Sequence, residues 1–457
     1  MRNMTLSAIA NACNGRLIGG EEFSTKEAAG VYLDSRQVGQ DDIFIATVGE
    51  RVDGHDYIDE VYAKGALAVI CEKAPSAPKG PYILVENSLL ALKLIAKWYR
   101  MQLDIKVVGI TGSVGKTSTK EFVSSVLKQG YSVLKTEGNF NNEIGLPLTV
   151  LKIRDHHEIA VLEMGINQFG EMDRLSEIAK PDICVITNIG QCHLENLGSR
   201  QGILKAKSEI FNHMKVDGIA CINGDDDMLS TLEVVKGRKP LRFGMNTTND
   251  FFATDVISKG LFGSSCKIHI GQNEFDVNIP LPGEHMIYNA LAATAVATIL
   301  NMTTEEIAAG IQAVQPVGGR SNIIRHKNWT IIDDCYNANP VSMKAAIDLL
   351  SMADTNKVAI LGDMGELGTK ENALHKEVGS YAATAKIDVL ICVGKRSIHM
   401  HQGAAISGFD GDLFYYETRE ELLAALPSLI KKQDTILVKA SHSMGFENIV
   451  KTLMNLK

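Results

Sequence analysis

The 457-residue chain lacks several features that would fix its class at once. No apolar run approaches the roughly 18 to 20 residues that a membrane-spanning helix needs. The best stretch, Ala290 to Leu300, is short and broken by threonines. The segment Met1 to Gly15 has no continuous apolar core of a secretory signal and reads as a short amphipathic helix. A basic surplus is missing too. Lys plus Arg is 46 against 54 Asp plus Glu, a formal net charge of −8, which argues against nucleic acid as a partner. Cysteine is sparse: eight are scattered from Cys13 to Cys392. The closest pair, Cys184 and Cys192, matches no usual zinc or redox spacing, so they read as mostly buried thiols rather than a disulfide scaffold. There is no internal repeat and no low-complexity segment. With 45% hydrophobic and 22% charged residues, the chain is too apolar for disorder. These absences predict a soluble, cytoplasmic protein with no membrane partner, and the length predicts about three domains.

Three zones follow one another. Residues 1–103 mix short strands (Val31 to Leu33, Asp42 to Ala46, Ala66 to Cys71, Tyr82 to Val85) with helices at 5–13, 56–64 and 88–101. Residues 104–316 alternate apolar strands with helices, which implies parallel pairing. There Lys106 to Ile110 leads into a Gly-rich turn and a helix, Asp250 to Ile279 reads as a small antiparallel β insert, and a long Ala-rich helix runs from His285 to Leu300. Residues 317–457 alternate strands near 329–334, 357–361, 387–393, 412–416 and 434–438 with helices. That pattern predicts a second, doubly wound sheet. The fold class is therefore α/β with three domains.

The strongest motif is Thr111-Gly112-Ser113-Val114-Gly115-Lys116-Thr117-Ser118, between a predicted strand and a predicted helix. Glycines let backbone N–H groups turn inward around phosphate oxygens, and the helix N-terminus adds partial positive charge. Lys116 is expected to reach the terminal phosphates and Thr117 to hold Mg²⁺. The strict pattern wants glycine where Ile110 stands, so the loop is a shortened variant. Glu163 ends the apolar strand Ile159 to Leu162, where ligands bind in open α/β sheets, and is placed to coordinate Mg²⁺ or to pair with a surface lysine. His193 sits just past the next strand, as a ligand or as a loop hydrogen-bonder. Lys205 and Lys207 read from spacing alone as a solvated helix face. Asp333 and Asp334 end a strand, and Tyr336-Asn337-Ala338-Asn339-Pro340 opens a helix, which suits ligand contact and helix capping equally. Asp363 and Glu366 share that ambiguity. Two weaker triplets lie in the first zone. Asp34-Ser35-Arg36 offers a guanidinium that could clamp a phosphate, and Asp53-Gly54-His55 follows a Gly-containing turn.

Together these segments resemble the Mur ligases of peptidoglycan synthesis over nearly the whole chain. The phosphate loop fits every member and the related folylpolyglutamate synthases. Asn139 to Pro147, Glu163-Met164-Gly165, and Tyr336 to Pro340 resemble the D-alanyl-D-alanine-adding branch more specifically, with Asn188 to Glu195 and Leu361 to Gly368 in support. The resemblance implies ATP and Mg²⁺ as cofactors, UDP-N-acetylmuramoyl-tripeptide and D-alanyl-D-alanine as substrates, a monomer, and amide formation through an acyl phosphate. It implies that Glu163, His193 and a carbamylated Lys207 hold Mg²⁺, which reverses the solvated-face reading of Lys207. It implies that Asn289 contacts adenine and that Arg320 and Asp334 hold ATP from the third domain. It assigns Ser35, Arg36, Asp53, Gly54 and His55 to the UDP end, and Asn141 and Asn142 to substrate. Where the family often shows Lys-Gly-Ser, this chain has Lys439-Ala440-Ser441. Two other readings stay open: a ligase adding a single amino acid or a folate-linked glutamate, and a nucleotide-binding module without ligase activity.

Overall fold

The structure is a computed structural model, and it describes residues 1–50 and 52–456. Three separate sheets form in chain order. The first has five strands in the order Arg16–Ile18, Tyr82–Leu84, Ala68–Cys71, Ile43–Ile45, Val31–Tyr32, all parallel except the first pair. Its helix Leu6–Ala12 is capped by the Thr5 side chain, and Ser88–Arg100 by that of Asn87. Each cap satisfies an otherwise orphaned backbone N–H.

The second sheet has nine strands. The strand Lys106–Thr111 lies between Ile159–Glu163 and Ile183–Ile186, all parallel. Both faces of this layer are covered, and the strand Ile159–Glu163 is buried throughout, as a parallel sheet requires. The strands Phe251–Ser258, Ser264–Ile270 and Asn273–Ile279 are the expected antiparallel insert, yet they are no separate body. Phe251–Ser258 pairs in parallel with Leu241–Gly244, so the insert extends the central sheet to one edge. Its register shifts between Thr254 and Ile257, and Asp255 there has φ of +52°. This is a bulge that bends the strand.

The third sheet runs Asn322–Arg325, Thr330–Asp333, Thr435–Lys439, Lys357–Gly362, Val389–Val393, Asp412–Tyr416, parallel apart from its first pair. It carries a helix, Ser397–Ile406, that the sequence reading did not identify. That helix crosses Glu371–Thr384 through two glycines. A Cβ on Gly379 would fall 1.8 Å from the Met400 carbonyl, and one on Gly403 would fall 2.1 Å from that of Lys376. Glycine weakens a helix locally, but here it lets two backbones touch.

The hydrophobic cores follow the same division, with one exception. Residues from the first sheet's helices and from one face of the second sheet form a single cluster, from Met4 and Tyr99 through Leu146 and Ile186 to Val235. The third sheet keeps its own clusters on its two faces. All eight cysteines are buried and free, as expected.

Candidate active site

A cleft of about 1270 Å³ opens between the carboxyl ends of the second and third sheets. The phosphate loop forms its floor. Gly115, with φ of +82°, stands at the start of the helix Lys116–Leu127. Gly112 turns the chain, at φ of +151°, and a Cβ there would lie 1.9 Å from the Thr187 hydroxyl. That is why Ile110 can replace the usual first glycine: it is a core residue of the strand, and the turn begins two residues later. The end of the neighbouring strand clamps the loop. Ser113 N–H donates to the Asn188 carbonyl at 2.9 Å, and Val114 N–H to the Asn188 side-chain oxygen at 3.0 Å. Lys116 Nζ donates to the Gly112 carbonyl at 2.8 Å, and burial lowers its pKa.

Glu163 lies beside the loop. Its Oε1 accepts from Thr117 Oγ1 at 3.0 Å and from Asn141 Nδ2 at 2.7 Å. Its Oε2 is buried and has no hydrogen-bond partner. The nearest cation to that oxygen is Lys120 Nζ at 3.7 Å, which is itself buried and also meets Glu121 at 3.2 Å. Lys120 escaped the sequence reading. Its signal was available, since positions four apart share one helix face and Lys116 already pointed there.

The Mg²⁺ assignment for Glu163 and Thr117 is compatible with this donor set. A buried carboxylate oxygen without a partner carries the cost of desolvation until a cation meets it. Among the described residues, no three His, Cys, Asp or Glu side chains converge into a ready-made cage. That suits Mg²⁺, which is commonly held by one or two carboxylates with phosphate oxygens and water.

Lys207 is not on a solvated face. It is buried, whereas Lys205 on the same helix Arg200–Ser208 is exposed. Desolvation, reinforced by the neighbouring Lys116, lowers its pKa to about 8. As an ammonium it would repel a divalent cation. The low pKa supplies the neutral amine that carbamylation by CO₂ requires. His193 caps the short helix Leu194–Leu197 with φ of +52°, and its Nδ1 faces the Glu366 carboxylate of the third sheet's domain. That contact holds the Glu366 carboxyl below its ordinary pKa.

Two walls complete the cleft. Asn289 is buried, and its side-chain oxygen accepts from Thr119 Oγ1 at 2.8 Å. From the third domain, the Arg320 guanidinium stacks 4.0 Å from the centre of the Tyr336 ring, with His442 against the same ring. Asp334 accepts from Ser321 N–H at 2.9 Å and from Lys439 Nζ at 2.6 Å. Lys439, at the end of a buried strand, is a second site residue that the sequence reading set aside. Nearby, burial lowers the pKa of His285.

Other sequence-predicted residues have local structural roles. Asn142 caps Gly145 N–H at 2.9 Å, and Asn141 braces Glu163, although both line the cleft. Asn339 forms a capping box with Ser342. Asp363 accepts from both Ser397 N–H and Oγ. None of Ser35, Arg36, Asp53, Gly54 and His55 lines this cleft. Arg36 is exposed and gives two hydrogen bonds to the Asp34 carboxylate, each 2.8 Å, so its fork is already matched within the first domain. Ser35 is buried. Asp53 caps the turn Gly54–Tyr57 and meets His55 Nδ1 at 2.6 Å.

Comparison with known proteins agrees along the whole length. Three family models match in sequence order: Mur ligase family, catalytic domain (27–99), Mur ligase middle domain (110–297), and Mur ligase, glutamate ligase domain (319–442). The chain is 40% identical over 460 residues to UDP-N-acetylmuramoyl-tripeptide--D-alanyl-D-alanine ligase of Bacillus subtilis (strain 168), covering 99% of both. It is 37% identical to the protein of that name from Escherichia coli (strain K12), again over 99% of both. A crystal structure of MurF from Acinetobacter baumannii superposes with a TM-score of 0.90 at 33% identity, covering 99% of each chain. The MurF ligase of Thermotoga maritima in complex with ADP gives 0.81 at 31% identity, over 93% of this chain and 97% of that one. With the phosphate loop and Glu163 in a cleft between the second and third of three matching domains, relatedness at this level places the chain in the Mur ligase family.

Proposed function

We propose that the chain is an ATP-dependent ligase that joins D-alanyl-D-alanine to UDP-N-acetylmuramoyl-tripeptide in cytoplasmic peptidoglycan precursor synthesis. The observation that carries this reading is a phosphate loop and a buried carboxylate facing a second domain across one cleft, in a chain 40% identical end to end to a ligase of that name. A carboxylate does not react usefully with an amine because oxide is a poor leaving group. Transfer of the γ-phosphoryl group to the tripeptide's terminal carboxylate gives an acyl phosphate and ADP. Attack by the amine then forms the amide, loses a proton and expels phosphate.

Phosphoryl transfer depends mostly on positioning and charge neutralisation. The loop N–H groups and Lys116 hold the β- and γ-phosphates. Thr117 and Glu163 would hold one Mg²⁺, and His193 with carbamylated Lys207 would hold a second. Bound there, the metals would offset the repulsion between two approaching anions. Asn289 meets the adenine, while Arg320 and Asp334 bring the third domain over the nucleotide. Ser35, Arg36 and the Asp53–His55 turn serve the UDP end from the first domain, with Arg36 released from its pairing with Asp34 when the ligand binds, and Asn141 and Asn142 border the peptide. No described helix is long and apolar enough to cross a membrane, and the working unit is taken to be a monomer.

The test is phosphate release with UDP-N-acetylmuramoyl-tripeptide plus D-alanyl-D-alanine, against the same donor with single amino acids and against folate with glutamate. Turnover only with the dipeptide is expected. Turnover with a single amino acid, or ATP hydrolysis indifferent to the muramyl donor, would sink the reading.

A further inference from the structure

We propose that Glu366 is a positioning residue that acts through His193, so that the third domain completes a metal site built in the second. The inference rests on the reading above, in which His193 binds Mg²⁺. A histidine that ligates a metal through one ring nitrogen almost always gives its other N–H to a carboxylate or carbonyl, which fixes tautomer and ring orientation. Here His193 Nδ1 meets the Glu366 carboxylate as a charge pair, with no hydrogen bond in line at that nitrogen before a metal binds, and Nε2 is left for the metal. Both residues line the cleft.

Two further observations show that the contact is built rather than incidental. Both partners occupy the left-handed region, His193 at φ of +52° and Glu366 at φ of +60°. Side chains seldom adopt that conformation, and strain of this kind persists only where surrounding structure enforces it. For Glu366 the enforcement is visible in the two residues before it. Met364 N–H donates to buried His375 Nε2 at 2.9 Å, and Gly365 N–H to Ser441 Oγ at 2.7 Å. Ser441 N–H returns to the Asp363 carbonyl at 3.0 Å. The same turn packs on the helix of His193, where a Cβ on Gly368 would meet Glu195 Cα at 3.4 Å. The anchored turn therefore presents one carboxylate to one imidazole across the domain boundary. Metal affinity and domain arrangement become a single equilibrium, because a second domain supplies the group that orients the ligand.

The experiment is a titration of Mn²⁺ into the full chain with a non-hydrolysable ATP analogue, read by electron paramagnetic resonance, for Glu366→Gln, Glu366→Gly, His193→Ala and the pair His193→Ala/Glu366→Gln. We expect Mn²⁺ to bind about tenfold to a hundredfold more weakly in both Glu366 variants, the usual cost of losing such a partner. The pair should lose no more than His193→Ala alone. Glu366→Gly relieves the backbone, so its Tm should hold or rise while its metal affinity falls, which a merely structural residue would not show. Unchanged Mn²⁺ affinity in the Glu366 variants overturns the inference, and tighter binding overturns it in favour of a contact that competes with metal. If His193→Ala itself leaves Mn²⁺ binding unaltered, the His193 metal assignment fails first, and this inference falls with it.

Discussion

Where the first domain meets the second, the helix Ser88–Arg100 buries Leu92, Ile95 and Tyr99 in the same apolar core as Leu146, Val150 and Ile153. Where the third domain meets the second, the facing groups are Lys116, His193, Arg320, Asp334, Glu366 and Lys439 around the cleft. Apolar side chains contribute little there: Leu194 and Leu261 pack against the third domain's core and are only partly buried. Separating the first pair would expose apolar area at roughly 25 cal/mol per Å². Separating the second would expose mainly polar groups, which water can satisfy. The first boundary behaves as one rigid body, and the second is suited to opening for substrates and closing over them.

The sharpest challenge to that contrast is Tyr99→Ala. Tyr99 is fully buried, and its hydroxyl donates to the Ile153 carbonyl across the first boundary at 2.7 Å. Its loss should cost about 3–5 kcal/mol, with the first and second domains still unfolding together in urea. A separate early transition for the first domain would show that the two are not one body. Next in size is Asp334→Ala, which strands the buried Lys439 ammonium. Leaving such a charge unpaired costs about 3 kcal/mol. The loss should appear only in the third domain's transition, resolved by calorimetry.

Lys207→Met works in the opposite direction. Folding lowers the Lys207 pKa from 10.5 to about 8. Between those values the unfolded chain binds more protons, so stability rises with pH across that window, and below it the full penalty applies. In the uncarbamylated chain, removing the amine should therefore add about 3 kcal/mol near neutral pH and flatten that rise, while turnover is lost. A stability profile with the same rise in the variant would refute a buried cation at 207. The smallest effect belongs to Lys97→Ala. Its ion pair with Glu177 bridges the first boundary at 2.5 Å but is well exposed on both sides. Such pairs contribute roughly 0.2–1 kcal/mol. A larger loss by chemical denaturation would mean that charge, not apolar packing, joins those domains.

The sequence was most legible where chemistry and periodicity coincide. The loop from Gly112 to Ser118, the strand ending in Glu163 and the alternation of the third zone could all be read in advance. Burial decided the cases that could not. Lys205 and Lys207 are two residues apart and equivalent in composition, yet one is exposed and the other is buried. Lys120 was hidden for the same reason, because a lysine within a helix looks solvated until a neighbouring element covers it. The helix Ser397–Ile406 was masked by its histidines and by Gly403, whose value lies in a close crossing. Arg36 is the reverse case. Its guanidinium looks free in the sequence, but Asp34, two residues away, already engages it.

The eight thiols, finally, turn the architecture into something that can be timed. Cys13 and Cys71 lie in the first domain, Cys184, Cys192, Cys221 and Cys266 in the second, and Cys335 and Cys392 in the third. Burial pushes Cys71 and Cys266 up to about 11 and Cys221 up to about 12. Thiols are attacked as thiolates, so the folded chain is shielded from alkylation both by access and by protonation. The thiols thus carry two internal clocks: modification of Cys335 and Cys392 measures how often the third domain comes apart, and modification of the other six measures the same for the first and second domains joined by their shared core.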